Sequence, residues 1–460
     1  MTARCFLVTA CIGFACSGKS GVRDAPAPKL DAPASDAAPP ADAPPPAPNL
    51  QISGAGIADT EPSLAVDPRD PSHVVAAWMH FVRVSPLQVD AQTRASTDGG
   101  ATWGPIVTLP HQKPDFHVAD VSLAFDRGGA AHLTYIDFAG DSSMVGGITA
   151  GVVVHARATS LAPLAWTAPV TVRDLVETTD VAIDRPWIAV DTSGGARDGT
   201  IYIATRSAEA TPAGIARHEH MKLSTDNGAT WSPDILVAAD PFPDLRSPFG
   251  QAVVDASGAL YVVYGAGAGP GCGLACLVAA RSTDGGATFT RTLVARLVPP
   301  QQGAYEFRNA VAAGPAGHVA VAWIDGRNDA ADILVAHTVD GVTWPAAVRA
   351  NDDTLGNGVG QDEPWLGYAP SGQLAIAWRD RRASGPGPFT TPYEIYDAIS
   401  GDGGATFSAN HRLSDAVSPS PDLESGNDFI GVVATDGATH AVWADRRTGR
   451  FAIFYGAVAR

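Results

Sequence analysis

Charged residues recur at one point of a repeating phrase in this chain of 460 residues. The phrase is clearest in Glu61-Pro-Ser-Leu-Ala-Val-Asp67, Asp120-Val-Ser-Leu-Ala-Phe-Asp126 and Arg185-Pro-Trp-Ile-Ala-Val-Asp191. Weaker copies begin at Phe249, Arg308, Glu363 and Asp428, and Arg246 lies just before the phenylalanine. Guanidiniums hold carboxylates through paired, charge-assisted bonds, so Arg185, Arg246 and Arg308 are the candidate ligand-binding residues for an anionic group. Paired carboxylates are the apparatus of glycoside hydrolysis, which makes Glu61, Asp120, Glu363 and Asp428 candidate catalytic residues. The competing expectation is that these charges simply pair with one another across a wet channel.

The elements that carry them follow from the spacing. The seven starts lie 59, 65, 64, 59, 55 and 65 residues apart by subtraction, and a fixed period of this size marks a repeat architecture. Each start opens a strand that is followed by a second apolar strand, such as Val74-Val-Ala-Ala-Trp78 or Leu374-Ala-Ile-Ala-Trp378. A second phrase then recurs: Ser96-Thr-Asp-Gly-Gly-Ala-Thr-Trp103, Ser224-Thr-Asp-Asn-Gly-Ala-Thr-Trp231, Ser282-Thr-Asp-Gly-Gly-Ala-Thr-Phe289, a shorter Thr338–Trp344 and Ser400–Phe407. Asp-Gly and Asn-Gly between apolar strands signal hairpins, because Gly accepts φ > 0 and Asp bonds its own backbone. The unit is four antiparallel strands.

This second phrase resembles the Asp-box, or bacterial neuraminidase repeat, of the sialidase superfamily of β-propellers, over about residues 49–460. The resemblance implies four-stranded blades with the box between the third and fourth strands. It also implies that Asp98, Asp226, Asp284, Asp340 and Asp402 organise turns, since an active site would use each position once. Superfamily enzymes hold a sialic-acid carboxylate with three arginines and attack with a Tyr activated by a Glu. Tyr305 beside Glu306 is therefore a further catalytic candidate, next to the Phe307-Arg308 echo of the family's first arginine phrase. The slot of that phrase on the first inner strand instead reads Glu61-Pro62-Ser63, and no complete Tyr, Glu and Asp set is found.

With a degenerate copy ending at Trp166, six outer turns match seven first-and-second-strand pairs, because the chain ends during the seventh unit at Arg460. The missing outer strand has a candidate in Asn49-Leu-Gln-Ile-Ser53. Pairing it with the C-terminal strand would close the ring and remove its open edge. The expected fold is all-β: a propeller of seven blades, with six as the alternative.

The remaining sequence describes delivery. Residues 1–15 read as a lipoprotein signal peptide ahead of Cys16, which is favoured over Cys11 as the lipidated residue. Residues 16–48 form an Asp/Ala/Pro-rich linker that cannot build a core. Gly13–Ser20 matches a phosphate loop, but the Pro-rich stretch after it cannot supply the helix that such a loop needs. Cys272 and Cys276 are expected to form a disulfide. His218 and His220 share a strand face, too little for a metal site, and no cofactor is expected. A net charge of −17 disfavours nucleic acid. The expectation is an exported, cell-envelope, monomeric propeller that binds a glycan or protein, with a sialidase or other glycoside hydrolase as the alternative.

Overall fold

Alternation of apolar and small residues, punctuated by Gly- and Asp-bearing turns, dictates short antiparallel strands, and the computed structural model consists of them. It describes residues 47–84, 86–140, 150–175, 180–211, 214–242, 250–300, 308–315, 317–388, 390–419 and 429–460, with no helix among them. Seven sheets form seven blades, and each blade has four strands connected in chain order from the inside outward. Blade 2 carries one additional short strand, Leu164–Trp166. The inner strands are Ala58–Val66, His117–Phe125, Asp180–Val190, Gln251–Val254, Asn309–Ala313, Gln361–Tyr368 and Ile430–Ala434.

The seventh blade borrows its outermost strand from the other end of the chain. Leu50 pairs with Tyr455 and Gln51 with Phe454. Just beyond, the Ile52 N–H donates to the Ile453 carbonyl at 2.8 Å, and the Ile453 N–H donates to Ser53 Oγ at 2.9 Å. Ile52 is fully buried, so the seam is packed as well as hydrogen-bonded.

The repeated turns hold the blades together. Asp98 Oδ1 accepts from Thr102 N–H at 2.8 Å while its Oδ2 accepts from the Thr102 hydroxyl at 2.5 Å, and Ser96 Oγ accepts from Gly100 N–H at 2.8 Å. The same bonds recur around Asp226, Asp284 and Asp402. Asp340, in the turn one residue shorter, accepts from the N–H groups of Val342 and Thr343 instead. Each turn also meets the preceding blade. A Cβ on Gly100 would fall 2.1 Å from the Tyr455 hydroxyl, and one on Gly228 would fall 2.2 Å from the His155 ring. Both glycines have φ near +90°, so glycine is required there on two counts.

The indoles of Trp323, Trp378 and Trp443 donate to Asp325, Asp380 and Asp445, which in turn bind Arg327, Arg382 and Arg447. Arg382 and Arg447 reach on to Asp352 and Asp415, so a third repeated phrase, Trp-x-Asp-x-Arg at 323–327, 378–382 and 443–447, locks strands to loops.

Candidate functional site at the channel mouth

Every inner strand starts at the same end of the ring, and there four of them break their own pattern. Between Thr60 and Ser63 the inner strand of blade 1 advances three residues while its partner advances two. The same single-residue bulge lies between Ala119 and Ser122, between Asp184 and Trp187, and between Asp362 and Trp365. A bulge re-aims the side chain it carries. The residues so placed are Glu61, Asp120, Arg185 and Glu363, with φ of 51°, 51°, 53° and 48°.

That conformation is costly for them. A non-glycine residue in the left-handed region stores on the order of 1–3 kcal/mol. Glu61, Arg185 and Glu363 also precede prolines, which disfavour helical backbone at the preceding residue. All four are buried at the mouth. Four charged side chains are thus held by strained backbone at one level of the ring.

The blades are tied together at this level. Arg185 N–H donates to Asp120 Oδ2 at 3.2 Å, and the Arg185 guanidinium lies 4.6 Å from the centroid of the Phe429 ring in blade 7. Beside it, Trp187 of blade 3 meets Trp365 of blade 6 at 5.1 Å and Phe429 at 5.3 Å between centroids. Three aromatic rings from three blades therefore meet across the channel. Trp365 is only partly buried, so the cluster presents a face as well as a plug.

A cationic sector adjoins this floor. Arg379 binds Asp362 through two parallel bonds of 2.9 and 2.8 Å, and Arg381 adds two more at 3.1 Å. Arg379 also reaches Glu363 Oε1 at 3.1 Å, and Arg308 Nε lies 3.6 Å from the same oxygen. Burial alone would raise the Asp362 carboxyl, but Arg379 and Arg381 outweigh it and hold it below the ordinary carboxylate range. Three guanidiniums converge on two carboxylates beside Trp365.

The sequence-derived candidates distribute as follows. Glu61, Asp120, Arg185, Arg308 and Glu363 sit at the mouth, and Arg308 faces Glu363. Arg246, Tyr305 and Asp428 lie outside the described residues, as do Phe249 and Glu306. Cys272 and Cys276 are joined by a disulfide with Cα atoms 5.1 Å apart. His218 and His220 have ring centroids 5.8 Å apart, and no group of three metal-ligating side chains occurs among the described residues.

Arg379 and Arg381 were not singled out by sequence reasoning. The signal was present: their phrase reads Trp378-Arg-Asp-Arg-Arg382 where the blade 5 copy reads Trp323-Ile-Asp-Gly-Arg327.

No protein-family model matches the chain, and no curated protein matches its sequence. Solved structures do. An α-L-arabinofuranosidase, arb93a, from Fusarium graminearum aligns over 90% of this chain and 98% of its own, with a TM-score of 0.50 and 11% identity. A protein of unknown function from Dyadobacter fermentans covers 77% of this chain and 98% of its own at a TM-score of 0.47 and 17% identity. The Hadza microbial sialidase Hz136 covers 89% and 68% at a TM-score of 0.46 and 14% identity. At these identities the likeness is one of fold.

Proposed function

We propose that the channel mouth binds an acidic glycan, and that the chain is an exported, lipid-anchored Asp-box propeller of the sialidase superfamily. The observation that carries the binding reading is the convergence of Arg308, Arg379 and Arg381 around Glu363 and Asp362, beside the aromatic face of Trp365. Arg379 and Arg381 are buried and hold Asp362 and Glu363 in place, the partly exposed Arg308 supplies planar donors for a sugar carboxylate, and an aromatic face accepts the apolar side of a pyranose. The bulge that carries Glu363 fixes the partner of Arg308 and Arg379 before any ligand arrives, which lowers the ordering cost of binding. A protein partner with an acidic side chain would use the same cations.

Glycoside hydrolysis is the second reading. It draws on Glu61 and Asp120, carboxylates held by bulges on neighbouring inner strands. Glu363 suits binding better than acid catalysis, because two arginines already face it.

A panel of immobilised sialylated, uronic-acid-bearing and neutral glycans tests the reading, with a fluorogenic sialoside assayed in parallel. Retention of the acidic glycans, weakened about tenfold or more in Arg308→Ala, supports binding. Turnover lost in Glu61→Gln and Asp120→Asn would transfer the reading to a hydrolase. No glycan retained and no sialoside turned over would together sink both readings. Delivery is tested separately, by lipid labelling of the full chain and of Cys16→Ala.

A further inference from the structure

The repeat breaks its pattern a second time, at the opposite end of the ring from the mouth. In blade 4 the inner strand ends at Asp255, whose Oδ2 accepts from the Tyr261 hydroxyl at 3.3 Å, and that hydroxyl accepts from Arg281 Nε at 3.1 Å. Tyr261 and Arg281 are cross-strand partners. Blade 2 has a similar trio at the same register: Asp126, His132 at 3.2 Å and Arg157 at 3.5 Å, with His132 and Arg157 paired across the strands. An acid, a ring and an arginine fill the end of each of these blades.

Blade 3 keeps two members and loses the third. Asp191 and Tyr202 occupy the same positions, but the cross-strand partner of Tyr202 is Leu223 where the other two blades carry arginine. Asp191 Oδ2 is buried without a hydrogen bond among the described residues, and the buried Tyr202 hydroxyl has the Thr200 side chain beside it. The guanidinium missing from the strand comes from a loop instead. The connection 191–200, longer than its counterpart 255–259, carries Arg197, which donates to the Thr283 carbonyl of the blade 4 turn at 3.2 Å.

A cleft of about 410 Å³ lies at this junction, lined by Arg197, Tyr202, Thr225, Leu223 and Ile235 among others. That volume is within the usual range for small-molecule sites. Asp284 also lines it, but both carboxylate oxygens are engaged within its own turn by Thr288. Arg197, Tyr202 and Thr225 beside Leu223 and Ile235 suit a small ligand with a polar head and an apolar body, and Arg197, the one cation among the described lining residues, offers that head a charge-assisted bond.

We infer that the cleft between blades 3 and 4 is a second binding site, independent of the channel mouth, for a small carboxylate with a compact apolar body. Its carboxylate meets Arg197 and the Tyr202 hydroxyl, and its body lies on Leu223 and Ile235. The site takes the place of the arginine that closes the corresponding junction in blades 2 and 4.

Benzoate is a suitable probe and benzamide its uncharged control, both titrated into the full chain by calorimetry. The expected result is saturable one-to-one binding of benzoate and none of benzamide, weakened at least about tenfold in Arg197→Gln. Leu223→Arg, which restores the blade 4 arrangement, should abolish binding. Arg197 lies on a partly exposed loop, so its variant tests the site even if the Leu223 variant fails to fold. Absence of saturable binding, equal binding of benzamide, or an undiminished affinity in Arg197→Gln would overturn the assignment. Loss of glycan binding in Arg308→Ala with benzoate binding unchanged would show the two sites to be separate, as proposed.

Discussion

Trp187 and Trp365, far apart in the sequence, meet with their ring centroids 5.1 Å apart because the ring brings blade 3 and blade 6 to face one another. Each follows a bulged, charged mouth residue by two positions, Arg185 and Glu363 respectively. The contact therefore sets the depth of the mouth: charged groups stand above it and the aromatic cluster closes it below.

The two tryptophans should respond differently to truncation. Trp187 is buried, so Trp187→Ala should cost about 3–5 kcal/mol in chemical denaturation, as large-to-small core changes do. Trp365 is partly exposed, and Trp365→Ala should cost less stability while weakening glycan retention. Equal losses of stability would mean that Trp365 is only a core residue.

Closure by the N-terminal strand should be measurable at a single residue. Ile52→Ala removes a fully buried side chain from the seam and should cost about 2–5 kcal/mol in chemical denaturation. A variant as stable as the parent would show that the ring does not depend on this strand.

His111 should behave as a lasting cation. Burial pushes its imidazole down, but hydrogen bonds to Asp137 at 2.7 Å and Asp90 at 3.2 Å overcome this and raise it to about 9. A raised folded value means the stabilisation is complete below the ordinary histidine range and is lost as pH rises through about 9. NMR titration of the His111 ring should show a midpoint near that value; a midpoint between 6 and 7 would contradict it.

Glu219 should also cost stability as pH rises, over a lower range. Burial pushes its carboxyl up to about 8 against the pull of Arg206, with Asp184 adding to the rise and Arg173 opposing it. Its folded form therefore holds a proton that the unfolded chain has released, and stability should fall from about pH 4.5 to about pH 8. Glu219→Gln should flatten that slope and be the more stable protein at pH 8.5. A slope unchanged in the variant would remove Glu219 as its source.

The architecture was legible in the sequence because it is written in local, repeated signals. The Ser-x-Asp turns fix hairpins, the seven starts fix the blade count, and the surplus of Asn49–Ser53 at one end matches the deficit at the other. The site was legible only in part. Glu61, Asp120, Arg185 and Glu363 could be named from their place in the repeat, but not their left-handed backbone, which glutamate and arginine do not favour. Partnerships across blades were hidden as well. Arg308 meets Glu363, Arg185 covers Phe429, and His111 bridges Asp90 to Asp137 because ring closure juxtaposes segments that share no local pattern. Arg379 and Arg381 were overlooked because they sit within a phrase whose other copies serve only to lock strands.

The central claim is that the mouth is the glycan site, and a crystal structure of the chain with an acidic glycan retained on the panel tests it most directly. The sugar carboxylate should lie within hydrogen-bond distance of Arg308, with the buried Arg379 and Arg381 unmoved behind it and a pyranose ring over Trp365. A glycan bound instead on the outer faces of the blades, with these side chains unmoved and untouched, would contradict it.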